Sequence, residues 1–374
     1  MNKLDEIAEK TTRLTNMLKS LGLGGVLLNS QHNFAWLTAG GRNSVDTSRE
    51  PGVASLLVRR DGRKFLLASR IEMPRMLSEE VSESDFEPIE FAWEDEKSSQ
   101  SFLTDKALAL LDSGDALGTD SICGPGIRYL EGDIAKCRFQ LTEAEVRRLL
   151  LLGADAGRIL GELARFVKPG ETESEIAQRI SAALGNVGAH GQVLLVAADD
   201  RIDRFRHPVP TDKPWKHKVM LVVCARRGGL IVSLTRIVSA GPVSDDLRRR
   251  TNSAAYVNAR LIEATKPGFN GAELYQVAAR AYETQGFPDE IHRHHQGGAC
   301  GYKPREWTAH PLSKDVVVDG QAFAWNPSIT GTKVEETVLI RDGIVESITA
   351  SPEWPYIEVE IDGGGFLSPD ILTL

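Results

Sequence analysis

The chain has 374 residues, of which 41% are hydrophobic and 26% charged; this is the make-up of a soluble globular protein long enough for two cores rather than one. Lys and Arg number 44 against 52 Asp and Glu, a net charge of −8 without any long basic run, which argues against a nucleic-acid partner. The longest apolar runs, such as residues 219–225, are too short to span a bilayer, so no membrane partner is expected. The charged start MNKLDEIAEK lacks an apolar signal core and points to the cytoplasm.

The first part alternates helix and strand. Residues 5–21 carry apolar side chains at helical spacing and stop at the glycines of residues 22–25; residues 25–29 and 53–58 read as strands. Arg60-Asp-Gly-Arg63 reads as a hairpin turn into a strand over residues 64–68, and residues 71–80 return to helix. Alternation of this kind predicts a small α/β domain over residues 1–140. A second domain then runs over residues 141–374. It opens with a long helix for which Thr142 is the N-cap, with Glu143 and Glu145 in the first turn, where the helix dipole favours acids. The four cysteines (Cys123, Cys137, Cys224 and Cys300) form no CxxC pair and read as free buried thiols in a reducing compartment.

The second domain contains a weak repeat. Lys168-Pro-Gly170 and Lys266-Pro-Gly268 each end one helix and precede another, at an offset of 266 − 168 = 98 residues, and each is followed at the same distance by a glutamate, Glu175 or Glu273. Two copies predict a duplicated unit with pseudo-twofold symmetry and a site between its halves.

Five polar segments beside apolar strands could carry chemistry. The densest is His292-Arg-His-His-Gln-Gly-Gly298, with three of the chain's eight histidines in four positions. Histidine titrates near neutral pH and binds metals as the neutral ring, and the glycines are expected to let backbone approach a ligand. His207 precedes Pro208, which biases it toward extended structure. Glu335 and Glu336 are adjacent in a strand, so only one of them can face a given pocket. Arg305, beside Glu306 and Tyr302, could hold a substrate carboxylate through a two-pronged hydrogen bond.

In their order, these segments resemble the creatinase/aminopeptidase P family. Arg13-Leu-Thr-Asn-Met-Leu-Lys-Ser-Leu-Gly22 and Asn33-Phe-Ala-Trp-Leu-Thr-Ala-Gly40 are similar to its accessory domain. His207-Pro-Val-Pro210 resembles its His-Pro segment, Ser233-Leu-Thr-Arg236 its Asp-x-Thr-Arg, Asn326-Pro327 its Glu-Pro, and Gly331-Thr-Lys-Val-Glu-Glu-Thr-Val338 its Gly-x-x-x-Glu-Asp-Thr-Val. The resemblance implies an α/β (α+β) protein whose small N-terminal domain precedes a pseudo-twofold "pita-bread" catalytic domain. The family's peptidases bind two metals through two aspartates, a histidine and two glutamates. Here those positions hold Val222, Ser233, His294 or His295, Asn326 and Glu335, so no metal pair and no cofactor is expected. A single zinc held by a histidine of the cluster with Glu335 is the alternative.

The resemblance to creatinase, which lacks the metals, implies a metal-independent hydrolase of a C–N bond, amide or amidino, in a small polar substrate. His207 is then the general acid/base, and His294, His295, Asn326 and Glu335 are the other catalytic groups. Arg305, Tyr302, Ser233, Glu336 and Arg49 are expected at the substrate. Thr235 and Asn326 stand where creatinase has its guanidinium-facing glutamates, which argues against creatine. The family implies a homodimer, with Arg49 reaching a partner subunit's site. The rival expectations are a peptidase with a rebuilt metal site and a non-catalytic binding homologue.

Overall fold

The computed structural model describes residues 2–121, 124, 126–361 and 364–374; Cys123 lies outside the described residues. Of the other cysteines, Cys224 and Cys300 are buried free thiols, whereas Cys137 is only partly buried. The chain divides into two compact units, Met1–Glu145 and Val146–Leu374. The division falls after Glu145 rather than after Gln140, and a buried charge cluster supplies the reason. Lys10 of the first helix pairs with both Glu6, at 2.5 Å, and Glu145, at 2.6 Å, all out of contact with water, so the start of the long helix is tied to the first unit.

In the first unit, the helix Lys3–Leu21 starts in a capping box between Asn2 and Asp5 and ends at Gly22, whose φ of 68° places it in the left-handed region. A mixed six-stranded sheet follows, in the order Glu87–Phe91, Lys64–Ser69, Pro51–Arg59, Gly25–Ser30, Leu117–Thr119, Arg128–Tyr129. Leu27, Leu57, Phe65, Leu67 and Phe91 pack its core. The expected hairpin is present, with Val58 opposite Lys64.

A second capping box, Thr142 with Glu145, starts the helix Glu143–Arg165. The unit beyond it is built twice. In the first half, the helix Glu173–Gly185 leads into a sheet of His190–Ala198, Lys218–Arg227 and Leu230–Ser239, joined at its edge by Ile371–Thr373. In the second, the helices Asp245–Ala264 and Gly271–Thr284 lead into Gly297–Cys300, Ala322–Trp325 and Glu336–Arg341, flanked by Trp307–Thr308 and Ile344–Ser347.

The 98-residue repeat recurs in the details. Gly170 and Gly268 have φ of 101° and 98°, a conformation an L side chain avoids. Thr172 and Asn270 cap their helices in capping boxes with Glu175 and Glu273. Gly170 donates its N–H to the Trp215 carbonyl and Gly268 donates to that of Val317. Thr172 bridges Pro214 as Asn270 bridges Val316. Tandem similarity in the sequence therefore marks two copies of one supersecondary unit.

The halves are stitched along one seam. Thr337 Oγ1 accepts the Ser233 N–H at 2.7 Å and donates to the Ser233 carbonyl at 2.9 Å. Thr235 donates its N–H to the Glu335 carbonyl. No helix among the described residues is long and apolar enough to cross a membrane.

Candidate functional site

Two loops bring three histidines together. His207 follows the short helix Asp200–Arg204, and its loop is pinned by Arg206, which donates to Glu290 at 2.5 Å and to Thr330 at 3.1 Å. His294 and His295 leave the 3₁₀ turn Pro288–His292 and enter the strand Gly297–Cys300. Their loop is anchored by Gln296, whose side-chain oxygen accepts from the buried Tyr282 hydroxyl at 2.6 Å and whose amide donates to the His294 carbonyl. His207 and His294 face each other with Nε2 atoms 3.1 Å apart, and His295 stacks on His294 at a centroid distance of 4.3 Å. His292 is exposed and stands outside this group.

Each ring is held below the ordinary histidine range. Burial is the main cause for all three, reinforced by the ammonium of Lys333: His207 is lowered, His294 falls to about 2 and His295 to about 4. All three are therefore neutral at pH 7. In a neutral pair one Nε2 carries the proton and the other accepts it, so His207 and His294 can pass a proton between them.

Beneath the histidines lies a buried carboxylate. Glu335 accepts from Thr235 Oγ1 at 2.6 Å and pairs with Lys333 Nζ at 2.8 Å and with Arg305 at 3.7 Å. Burial pushes its pKa up, but Lys333 and Arg305, with the hydrogen bonds from Lys333 and Thr235, outweigh burial, and the net shift is downward. Its oxygens are committed to two cations and a hydroxyl.

The strand register places the remaining positions. Val222 lies opposite Thr235 and Cys224 opposite Ser233, and cross-strand partners share a face of the sheet. The residue directly across from Ser233 is thus Cys224, whose sulfur accepts from Ser233 Oγ at 3.2 Å. Ser233 is fully buried. Glu336, the neighbour of Glu335, pairs instead with Arg236 at 2.7 Å. Tyr302 is buried, and its N–H donates to Glu306, which shapes the loop that carries Arg305. Arg49 lies in the first unit, where its carbonyl accepts from Gln31. The glycines after the histidines serve strand packing rather than a ligand. A Cβ at Gly297 would stand 2.1 Å from the Ala324 carbonyl oxygen, and one at Gly298 would stand 2.1 Å from that of Trp307.

Three polar atoms of the site are buried without a hydrogen-bond partner among the described residues: His294 Nδ1, Arg305 Nε and Asn326 Oδ1. Unsatisfied groups of this kind carry a desolvation cost of roughly 1–3 kcal/mol each, and they suit a site that completes its hydrogen bonds with a ligand.

The donor set does not fit two divalent metals. Of the family's five ligand positions, Val222 has no donor atom, Ser233 is spent on Cys224, and Asn326 is a neutral amide. The surviving carboxylate, Glu335, already balances its charge against Lys333 and Arg305. A dication pair would face two fixed positive charges with one carboxylate to share.

Three comparisons bear on this geometry. A family model described as metallopeptidase family M24 matches residues 153–342. A curated relative in Mycobacterium tuberculosis, named "Probable dipeptidase PepE", is 24% identical over 255 residues, or 66% of this chain and 66% of that protein; the match thus spans a little under two thirds of the relative's length. Among solved structures, dipeptidase PepE from Mycobacterium ulcerans superposes with a TM-score of 0.79 at 18% identity, covering 94% of this chain and 97% of that one. A recombinant prolidase from Thermococcus sibiricus gives 0.79 at 16% identity over the whole of both chains. The shared fold is the pita-bread arrangement expected from the motifs.

Proposed function

The chain belongs to metallopeptidase family M24, and from that premise we propose that it is a hydrolase of a C–N bond in a small polar substrate that works without the family's metal pair. The observation that carries this reading is the triad of Lys333, Glu335 and Arg305. A carboxylate at a family metal position is buried and neutralised by the protein's own cations. In this reading His207, which is exposed, takes the proton from an attacking water and returns it to the leaving nitrogen. His294 orients it across the 3.1 Å contact. Arg305 and Asn326 receive the substrate's polar groups through their free buried atoms. The names of the relatives make dipeptides the first substrates to try, ahead of other amides and amidines.

The test is turnover of a panel of dipeptides, acyl amino acids and amidines by protein stripped of metal with a chelator. Activity is expected to survive stripping, and His207→Ala is expected to lower kcat/KM by roughly 10²–10⁴-fold, the usual contribution of a positioned general base. Activity lost on stripping and restored by manganese or cobalt would favour a rebuilt metallopeptidase instead. Tight ligand binding with no product from any class would favour a binding homologue.

A further inference from the structure

We propose that His207, His294 and His295 form a site for a single borderline transition-metal ion of the zinc class, and that filling it switches the hydrolase off. The inhibitory half rests on the reading of His207 as the base; the binding half does not.

The geometry argues for one ion. Each of the three rings offers one metal-capable nitrogen, and these three atoms all lie within 4.8 Å of one another. Ligand atoms at about 2.05 Å from a tetrahedral zinc stand roughly 3.3 Å apart, and the Nε2 atoms of His207 and His294 are already 3.1 Å apart. One ion between them would take up both lone pairs with little movement. His207 and His295 are exposed and His294 is partly so, which leaves an approach for the ion and room for a water as fourth ligand. Imidazole-only ligation suits zinc, cobalt, nickel or copper rather than magnesium or calcium, which want oxygen. The site also differs in kind from the family's pair, since no carboxylate belongs to it.

The positive charges of Lys333 and Arg305 face the rings and oppose a dication, with Glu335 offsetting one of them. This electrostatics fits a reversible site better than a permanently filled one. An ion on His207 Nε2 occupies the lone pair that proton abstraction requires. Metal and base then compete for one atom.

The experiment titrates metal-free full-length protein with cobalt and zinc. Cobalt d–d absorption is expected to saturate at one ion per chain, zinc to displace it, and magnesium to leave the spectrum unchanged. His294→Ala, His295→Ala and His207→Ala, each checked for a native melting transition, should each weaken zinc binding by at least about tenfold, the lower bound seen even for supporting residues around a metal. If any one variant fails to fold, the other two carry the test. Absence of cobalt bands, two ions per chain, or affinity unchanged in the folded variants would overturn the site while leaving the hydrolase reading intact. In the turnover assay, activity should fall in proportion to zinc bound. Zinc that binds as described and raises turnover would overturn the inhibitory half and the metal-free hydrolase together.

Discussion

Lys333 is the residue on which the site's electrostatics turns. Its ammonium lies 2.8 Å from the buried Glu335 carboxylate, while Arg305 is more distant at 3.7 Å. Removing one partner of a buried pair leaves the other charge uncompensated, at a cost of roughly 3–5 kcal/mol. Because Arg305 remains, Lys333→Met is expected to cost about 3 kcal/mol in urea unfolding. The double variant Lys333→Met/Glu335→Leu should recover part of that loss, because the carboxylate is no longer stranded while Arg305 is left without its partner. The same ammonium helps hold His207 below its ordinary pKa, second to burial. A base must be deprotonated to act, so a lowered pKa moves the acid limb of kcat/KM below 6.5 and leaves activity flat above it. In Lys333→Met the limb should move back up; a limb at or above 6.5 in the unmodified protein would assign the base to another group. The histidines and Glu335 were legible as residue types in a polar context. The role of Lys333 was available too, since it stands two positions before Glu335 and alternate residues of an extended segment share a face. The pull of the glutamate as a metal-ligand position obscured the cation that neutralises it.

At the scale of the element, turns and close approaches set the register. The strands Lys218–Arg227 and Leu230–Ser239 are joined by Gly228 and Gly229, with φ of 55° and 83°, the conformation that two-residue hairpins require. That turn fixes every opposite pair, from Arg227 with Leu230 back to Cys224 with Ser233 and Val222 with Thr235. The Gly-Gly signal lay in the sequence and would have placed Cys224 across from Ser233. Gly298 approaches the backbone of a paired strand, a contact that local sequence does not show because the pairings span 10 and 26 residues. Gly298→Ala would drive a methyl group to 2.1 Å from the Trp307 carbonyl oxygen, so the backbone must shift. The expected loss is roughly 1–3 kcal/mol, as for overpacking, read from thermal unfolding. A silent substitution there would show that the two strands can part without penalty.

For the molecule as a whole, the duplication explains why the chemistry sits where it does. Each half alone is a helix-backed sheet, and the two meet where Ser233 and Thr235 of one touch Glu335 and Thr337 of the other. The repeat at 98 residues was legible because helix caps and turn glycines are local features. The seam was not, because it pairs residues about a hundred positions apart through side-chain oxygens. Thr337 makes the seam testable. Its hydroxyl both accepts from and donates to the Ser233 backbone, and both groups are buried. Thr337→Val keeps the shape and deletes the hydroxyl, which strands a buried N–H and a buried carbonyl at roughly 1–3 kcal/mol each. The strand carrying Ser233 also carries Thr235, which holds Glu335 at 2.6 Å, so loosening the seam should lower kcat/KM as well as stability. Thr235→Val separates the two effects. It leaves both Thr337 bonds in place and removes only one of the groups that hold Glu335, which keeps Lys333 and Arg305, so it should cost less stability than Thr337→Val while sharing the kinetic defect. Equal loss of stability in the two variants would mean that the seam depends on Glu335 rather than on Thr337.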